Sequence, residues 1–140
     1  MTVLWGVLSG VLVILVGQIP VRFVLDPLYE QRVAIRSVND VLMRYADAIS
    51  NPGVTQREYM DEASRTIREA ACALQAKTDA VPLYGFFARL RLVRMRKDVQ
   101  CAHGGLIGIS NSIHTDAGGY SADRVRTVRA ALKIRDHLSS

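Results

Sequence analysis

An apolar run without charge at the N-terminus constrains this chain most. No Asp, Glu, Lys or Arg occurs from Thr2 to Val21, and Phe23, Val24 and Leu25 extend the run beyond a single Arg22. As an α-helix, 18 to 24 such residues are about 27 to 36 Å long, which matches a bilayer hydrocarbon core of about 30 Å. The sequence therefore predicts one transmembrane helix over residues 1–25.

The sequence around this run predicts that it is retained and which way it faces. Only Met1 and Thr2 precede it, so the basic region of a signal peptide is missing, and Gly17-Gln18-Ile19 is a poor cleavage site. Every Lys and Arg follows the run, and such a bias keeps the basic side in the cytoplasm. We expect a single-pass protein of a bacterial inner membrane, with its N-terminus outside and its C-terminal domain cytoplasmic.

Residues 26–140 carry four stretches in which apolar residues recur every three to four positions, the spacing of amphipathic helices. Asp26-Pro27 predicts the start of the first, with Asp at the N-cap and Pro at the first helical position. Asn51-Pro52-Gly53 ends it. Thr55 and Glu58 form a capping box for the second helix, which ends near Asp79.

A third apolar stripe runs from Met95 to Ile113 and contains three glycines, Gly104, Gly105 and Gly108. Each glycine costs a helix about 1 kcal/mol relative to alanine, so a bend or a close helix crossing is expected there. Residues 111–120 are predicted as a loop, and Ser121 as the cap of the last helix. The predicted fold class is all-α: one N-terminal transmembrane helix followed by an up-and-down four-helix bundle.

Helix lengths predict where the second connection of the bundle lies. A first helix of about 23 residues carries the chain about 35 Å from the membrane, and a second brings it back. The connection at residues 81–97 should therefore face the membrane, and its mixture of aromatic and basic residues is typical of an interfacial segment on an anionic leaflet. The residues predicted to contact anionic headgroups are Tyr84, Phe86, Phe87, Arg89, Arg91, Arg94, Arg96 and Lys97.

The net charge of +5 belongs to the C-terminal part, because residues 81–140 hold 10 basic and 4 acidic residues whereas residues 1–80 hold 8 and 9. Arg126, Arg129 and Lys133 share a face of the last helix, which is either an anion-binding surface or a solvated one. Nucleic acid or nucleotide could use the same charges. We favour lipid as the partner over nucleic acid, because no RNA- or DNA-binding motif accompanies them.

Small residues in the apolar run indicate self-association. Gly6 and Gly10 form a GxxxG step, and Gly17 falls on the same face. Small residues allow two membrane helices to approach closely. The alternative is that glycine is simply common in membrane helices. We expect a homo-oligomer.

The sequence shows no catalytic constellation, so we predict that the chain is not an enzyme and needs no cofactor. Cys101-x-His103 and His114-x-Asp116 could supply metal ligands, but structural zinc sites use tighter, repeated pairs. The sequence favours a buried thiol and ordinary histidines, and we predict no metal site.

Several short motifs resemble those of a group of small bacterial single-span inner-membrane proteins with a cytoplasmic helical domain. They are Asp26-Pro27, Tyr45-Ala46 before Asn51-Pro52, Val81-Pro82-Leu83-Tyr84 and the segment Leu106–Ser112. The resemblance implies the same architecture and no particular activity or site residue.

Two functions follow as hypotheses. The first is a noncatalytic, membrane-anchored interaction module on the cytoplasmic face, self-associating and able to bind a further protein partner. The second is a membrane-active effector whose span forms a pore or lesion when the bundle senses an anionic ligand. An ionisable pore lining would favour the effector, but the polar residues of the run are only Thr2, Ser9 and Gln18.

Overall fold

A computed structural model describes residues 2–52, 56–115 and 118–134. These residues are largely helical, and none of them lies in a strand. The helical segments are α1 (Thr2–Pro20), a π-helical turn (Val21–Leu25), α2 (Asp26–Arg44), α3 (Ala46–Ser50), α4 (Arg57–Asp79), α5 (Tyr84–Arg89), α6 (Arg96–Ser112) and α7 (Gly118–Leu132). The predicted all-helical class is confirmed.

One helix near the N-terminus is long and apolar enough to cross a membrane, judged by its length and composition. Its apolar side chains from Val3 to Val16 are exposed, because no other described part of the chain packs against them. The helix does not end where the apolar run ends. It continues as one rod of 42 residues, Val3–Arg44, so that α2 is a direct extension of α1.

α2 begins at Asp26 as predicted, but the predicted cap of a separate helix is wrong, because the helix is already present before Asp26. Leu25 already has right-handed helical dihedrals, and no side chain caps the start of α2. The π-helical turn lies between Pro20 and Pro27 and joins α1 to α2. Each proline lacks the N–H that a helical hydrogen bond needs, and the helix between the two prolines is π-helical and does not end.

α2 and α4 run in opposite directions along each other. At one end the hydroxyl of Tyr45 donates to Glu62 Oε1 at 2.9 Å. At the other end Gln31 Nε2 donates to Thr78 Oγ1 at 3.1 Å, and Lys77 Nζ lies 2.7 Å from Glu30 Oε2. The end of α4 therefore lies beside the start of α2, as the out-and-back prediction requires for this helix pair.

α6 packs against α4, also in the opposite direction. The Ser64 hydroxyl donates to the carbonyl of Ser110 at 2.9 Å, and His114 Nε2 lies 3.4 Å from Asp61 Oδ1. The start of α6 approaches the end of α4, where Arg96 Nη2 is 3.9 Å from Asp79 Oδ1. Thus the end of α4 and the start of α6 lie at the same end of the domain as the start of α2.

The expected close helix crossing is found between α6 and α7. A Cβ built on Gly105 would lie 2.6 Å from Val128 Cγ2, and one on Gly108 would lie 2.6 Å from Arg124 Nη1. Gly104 has open space within 4 Å. Two of the three glycines therefore allow the contact with α7, whereas the third does not take part.

The apolar core is built from α2, α3, α4, α6 and α7, largely as the periodicity predicted. Its fully buried large side chains include Val38, Leu42, Ile67, Leu74, Val99, Leu106, Ile109, Ile113, Val128 and Leu132. On α4 the periodicity predicts Ala63 and Ala70 on the apolar face; Ala63 is buried, whereas Ala71 is buried in place of Ala70, which packs at the edge of the core. Met95 is exposed, because it precedes α6 at the N-cap position.

Two predicted helix starts differ from the structure. Thr55 of the predicted capping box lies outside the described residues, and α4 follows Gln56, which makes no side-chain cap. Ser121 does not cap α7: it is buried inside that helix, and its hydroxyl lies 2.9 Å from the hydroxyl of Ser112. The predicted loop 111–120 is too long, because α6 extends to Ser112 and α7 already begins at Gly118.

Candidate functional site

The connection between α4 and α6 folds back against the rod. Val81, Phe87 and Val93 form a second buried cluster, separate from the core, and the residues packed against it include Val24 and Leu28. These two residues lie at the junction of the π-helical turn and α2. The connection is thus docked at the point where the apolar run ends.

This docking divides the predicted lipid-contacting aromatics. Phe87 is only 8% exposed, so its predicted contact with headgroups is wrong: docking of α5 against the rod removes the ring from solvent. Phe86 is 60% exposed and meets the Phe87 ring edge-on at 5.5 Å between centroids. Leu83 and Leu90 are also exposed. An apolar surface made of Leu83, Phe86 and Leu90 therefore remains uncovered by the described residues.

Tyr84 connects this apolar surface to the basic residues that follow. Its hydroxyl donates to the carbonyl of Arg94, and the Arg96 guanidinium lies over its ring at 4.9 Å from the centroid. Partial burial raises the pKa of the Tyr84 phenol, against the opposing effects of a hydrogen bond with Gln31 and of the Arg96 charge. Tyr84 thus joins the two ends of the loop formed by residues 84–96. Its side chain stabilises this loop in addition to lying partly at the surface.

A groove of about 610 Å³ opens beside this loop, between the start of α2 and the end of α7. We call it the basic groove. Five of its lining residues are cationic and one is acidic: Arg32, Arg36, Arg91, Arg94 and Lys133 face Asp40. Within the described part of the chain, none of the five cations forms an ion pair with a carboxylate. The groove therefore holds an excess of positive charge.

Gln31 fixes one wall of the basic groove. Its side chain is only 1% exposed, although glutamine is rarely found buried to this degree without partners. Its amide donates to Thr78, and its Oε1 accepts a hydrogen bond from the Arg94 N–H at 3.4 Å. Through these contacts α2, α4 and the loop that carries Arg91 and Arg94 are held together.

Two of the groove cations have strained backbones. Arg91 has φ 58° and Lys133 has φ 50°. A side chain in this left-handed region costs roughly 1–2 kcal/mol relative to the right-handed one. Both residues end a helix in the common left-handed way, because the Leu92 N–H bonds to the Phe87 carbonyl and the Ile134 N–H to the Arg129 carbonyl.

The structure separates the three residues predicted as an anion-binding ridge. Lys133 lines the basic groove, beyond the end of α7. Arg126 lies outside the groove and pairs with Asp123 across 3.7 Å of exposed surface. Arg129 is partly buried and also outside the groove. Of these three residues only Lys133 lines the groove, and anion binding by the ridge as a whole stays a prediction.

Of the basic residues predicted at the membrane surface, Arg91 and Arg94 line the basic groove. Arg89 and Lys97 are exposed and do not line it, and Arg96 contacts Tyr84 and Asp79. Arg32, Arg36 and Gln31 were not predicted as site residues. Arg32 and Arg36 carry a sequence signal, the i, i+4 spacing of two cations on one helix face.

The three glycines of the span lie in open space. A Cβ added at Gly6, Gly10 or Gly17 would meet no atom of the described chain within 4 Å. Among the described residues, no group of three or more His, Cys, Asp or Glu could hold a metal ion. The prediction of a buried thiol is wrong, because Cys72 and Cys101 are both exposed.

No protein-family model matches this chain, and searches of curated proteins and of solved structures give no match either.

Proposed function

We propose that this chain is a noncatalytic, membrane-anchored interaction module on the cytoplasmic face of a bacterial inner membrane. Residues 1–25 supply a single span, and residues 26–140 fold as an up-and-down four-helix bundle. The antiparallel contacts of α2 with α4, of α4 with α6 and of α6 with α7 support that bundle. The resemblance to small single-span inner-membrane proteins agrees with the same architecture.

The observation that carries the proposal is the unbroken rod of Val3–Arg44. Its first part exposes mainly apolar side chains, with Ser9 and Gln18 as exposed polar ones, whereas its last part contributes Val38 and Leu42 to the core. One helix therefore serves as both anchor and core element. No flexible linker separates the two, so the domain is expected to stand at a fixed height and rotation relative to the bilayer.

The distribution of charge supports a cytoplasmic domain. Every Lys and Arg follows the apolar run, which favours retention of this side in the cytoplasm. The apolar surface of Leu83, Phe86 and Leu90 lies on the loop docked against Val24 and Leu28, directly beyond the span. We propose that this surface contacts the bilayer, with Arg89 and Lys97 near anionic headgroups.

The buried polar groups support a structural rather than a catalytic role. Ser64, Ser110, Ser112 and Ser121 form hydrogen bonds between or within helices, and Gln31 and Thr78 bond to each other. Their hydrogen-bonding capacity is used for packing the domain. The binding partners that we propose for such a module are a second copy of the chain and a further protein.

The pore-forming alternative receives less support. The Ser9 hydroxyl donates to the carbonyl of Gly6 at 3.0 Å, so one of the few polar groups of the run is satisfied within its own helix. A polar residue bonded in this way does not need a water-filled lumen. The span is more suited to anchoring than to conduction.

Topology reporters test the proposal. A fluorescent reporter that folds only in the cytoplasm, fused after Ser140, should be active, and a phosphatase that is active only in the periplasm should not. The same reporters placed before Met1 should give the reverse result. An active phosphatase after Ser140, or a mature N-terminus near Ile19, would overturn the orientation or the anchor.

Spin labels test the contact of the loop with lipid. In a background with Cys72→Ser and Cys101→Ser, a label at Phe86 should be relaxed mainly by oxygen, which concentrates in the bilayer. A label at Asp47 on α3 should be relaxed mainly by a water-soluble nickel complex. Equal accessibility of the two labels would contradict a membrane-facing loop.

A further inference from the structure

We propose that the basic groove binds a soluble phosphate ester, of the size and charge of a nucleoside diphosphate. Three separate segments supply its cations: α2 gives Arg32 and Arg36, the loop before α6 gives Arg91 and Arg94, and the chain after α7 gives Lys133. Like charges repel, so their convergence around one cavity costs free energy unless an anion neutralises them. The inference adds a ligand to the module proposed above.

The chemistry of the lining favours phosphate. A guanidinium presents paired N–H donors that match two oxygens of a phosphate, and four of the five cations are arginines. The volume of about 610 Å³ lies in the usual range of small-molecule sites, roughly 300 to 1,000 Å³. It exceeds what inorganic phosphate alone would fill.

An apolar part of the ligand also has partners in the groove. Ile35, Leu92 and Ile134 contribute to the lining together with the cations. A purely ionic ligand would leave these side chains in water. An ester that carries phosphates at one end and an apolar or aromatic group at the other uses both kinds of surface.

The height of the groove favours a soluble ligand over a lipid headgroup. Arg32 and Arg36 follow Leu25 by seven and eleven residues, which at 1.5 Å per residue is about 10 and 16 Å along the rod. The headgroup layer of one leaflet is only about 5 to 8 Å thick. With residues 1–25 as the span, as proposed above, the groove therefore opens mainly to the cytoplasm, beyond the lipid phosphates.

The groove is preformed and does not need a ligand to assemble it. Gln31 bonds the loop of Arg91 and Arg94 to the core, and Arg91 and Lys133 keep left-handed backbones that a glycine would adopt more easily. These two positions are the left-handed ends of α5 and α7, so the hydrogen bonds of the two helix termini hold both cations in place.

The test uses the full chain in nanodiscs of zwitterionic phosphatidylcholine. Calorimetry should show binding of pyrophosphate and tighter binding of adenosine diphosphate, with no binding of adenosine. Because both faces of the bilayer are accessible in a nanodisc, this result does not depend on the orientation proposed for the span. Failure of the binding test and failure of the topology test can therefore be told apart.

Variants locate the ligand. Arg91→Gly and Lys133→Gly remove a charge while relieving the backbone, so each should weaken adenosine diphosphate binding by roughly tenfold without lowering the unfolding midpoint. Leu83→Gly is the matched control, because Leu83 has φ 48° but does not line the groove. Arg36→Gln should also weaken binding, whereas Arg57→Gln, with the same loss of charge on α4, should not.

The outcomes decide the proposal. It is supported when the groove variants lose affinity and both controls keep it. Absence of binding by both phosphates, or equal losses in groove and control variants, would overturn it. If the soluble phosphates do not bind but nanodiscs containing phosphatidylglycerol retain anionic lipid on the native chain and not on Arg36→Gln, the groove belongs to lipid headgroups and the soluble ligand is wrong.

Discussion

Gln31 on α2 and Thr78 on α4 are joined by a buried hydrogen bond of 3.1 Å between their side chains, 47 residues apart in the chain. The Thr78 hydroxyl in turn donates to the carbonyl of Leu74 at 2.8 Å. Gln31 also accepts from the Arg94 N–H. This short chain of hydrogen bonds links α2 both to α4 and to the loop before α6, at the end of the domain that lies next to the apolar run.

Substitution of Gln31 should therefore destabilise the domain. In Gln31→Leu the Arg94 N–H loses its acceptor, and we expect a loss of about 1–3 kcal/mol in the free energy of unfolding. Gln31→Leu with Thr78→Val should lose less than the sum of the single changes, because both partners are removed together. Chemical unfolding followed by circular dichroism measures this. Gln100→Leu on the exposed face of α6 is the control, and a Gln31→Leu domain as stable as that control would refute the role of the pair.

The glycines of α6 should respond differently to alanine. Gly105→Ala places a methyl 2.6 Å from Val128 Cγ2, so we expect destabilisation by about 1–3 kcal/mol. Gly104→Ala meets open space and should stabilise the helix by up to about 1 kcal/mol. Gly108→Ala should fall between them, because the atom it meets is the mobile end of Arg124. Thermal unfolding of the three variants gives the order, and a neutral Gly105→Ala would show that α6 and α7 are not in such close contact.

Tyr84 should make the loop sensitive to alkaline pH. Because burial raises its pKa, the folded state keeps the phenol proton at a pH where the unfolded state has lost it. This contribution to stability is complete below the unfolded pKa of about 10 and disappears as pH rises through the higher folded value. Tyr84→Phe should lower stability near neutral pH by about 1 kcal/mol through the lost hydrogen bond to Arg94.

The same variant should show a smaller loss of stability between about pH 8 and about pH 11 than the native chain. Unfolding midpoints at the two pH values measure the difference. Tyr29→Phe is the matched control, because Tyr29 is exposed. If native protein and Tyr84→Phe decline equally, the phenol of Tyr84 is not the group responsible.

The span should associate through its glycine face. A Cβ added at Gly6 or Gly10 meets no atom of the described chain within 4 Å, so a decrease in crosslinking of Gly6→Ile and Gly10→Ile within membranes would report a contact with a second copy. We expect a loss on the order of 1 kcal/mol for each, since packing rather than desolvation holds membrane helices together. Val7→Ile tests the effect of added volume on another face. Unchanged crosslinking in both glycine variants would assign association, if any, to the domain.

Local patterns were sufficient to predict most of the helices. The spacing of Ile67 and Leu74, or of Leu106, Ile109 and Ile113, corresponds to one helix face, and these residues are indeed buried. Helix starts were less predictable, because a cap depends on one side chain. Its single hydrogen bond is easily outweighed by the packing contacts of the fold. At Asp26 the helix was already present, and at Ser121 a buried contact with Ser112 proved more important than a cap.

The basic groove was not predictable from such patterns. Arg36, Arg94 and Lys133 belong to three segments, and only the packing of the whole domain brings them around one cavity. Gln31 gave a partial signal, since it is the one polar residue in an otherwise apolar stripe on its helix. Its partner Thr78 stands one turn after Leu74 on the buried face of α4, but nothing in the local sequence pairs the two.

The π-helical turn at Val21–Leu25 sets the direction in which the domain faces relative to the span. A π turn accommodates one more residue than an α turn, and each residue of a helix turns the next by about 100°. The angle between the glycine face of the span and the groove on the domain is thus fixed by that one extra residue. Deleting a single residue from the turn would therefore rotate the groove by about 100° relative to the glycine face, with the sequences of α1 and α2 unchanged.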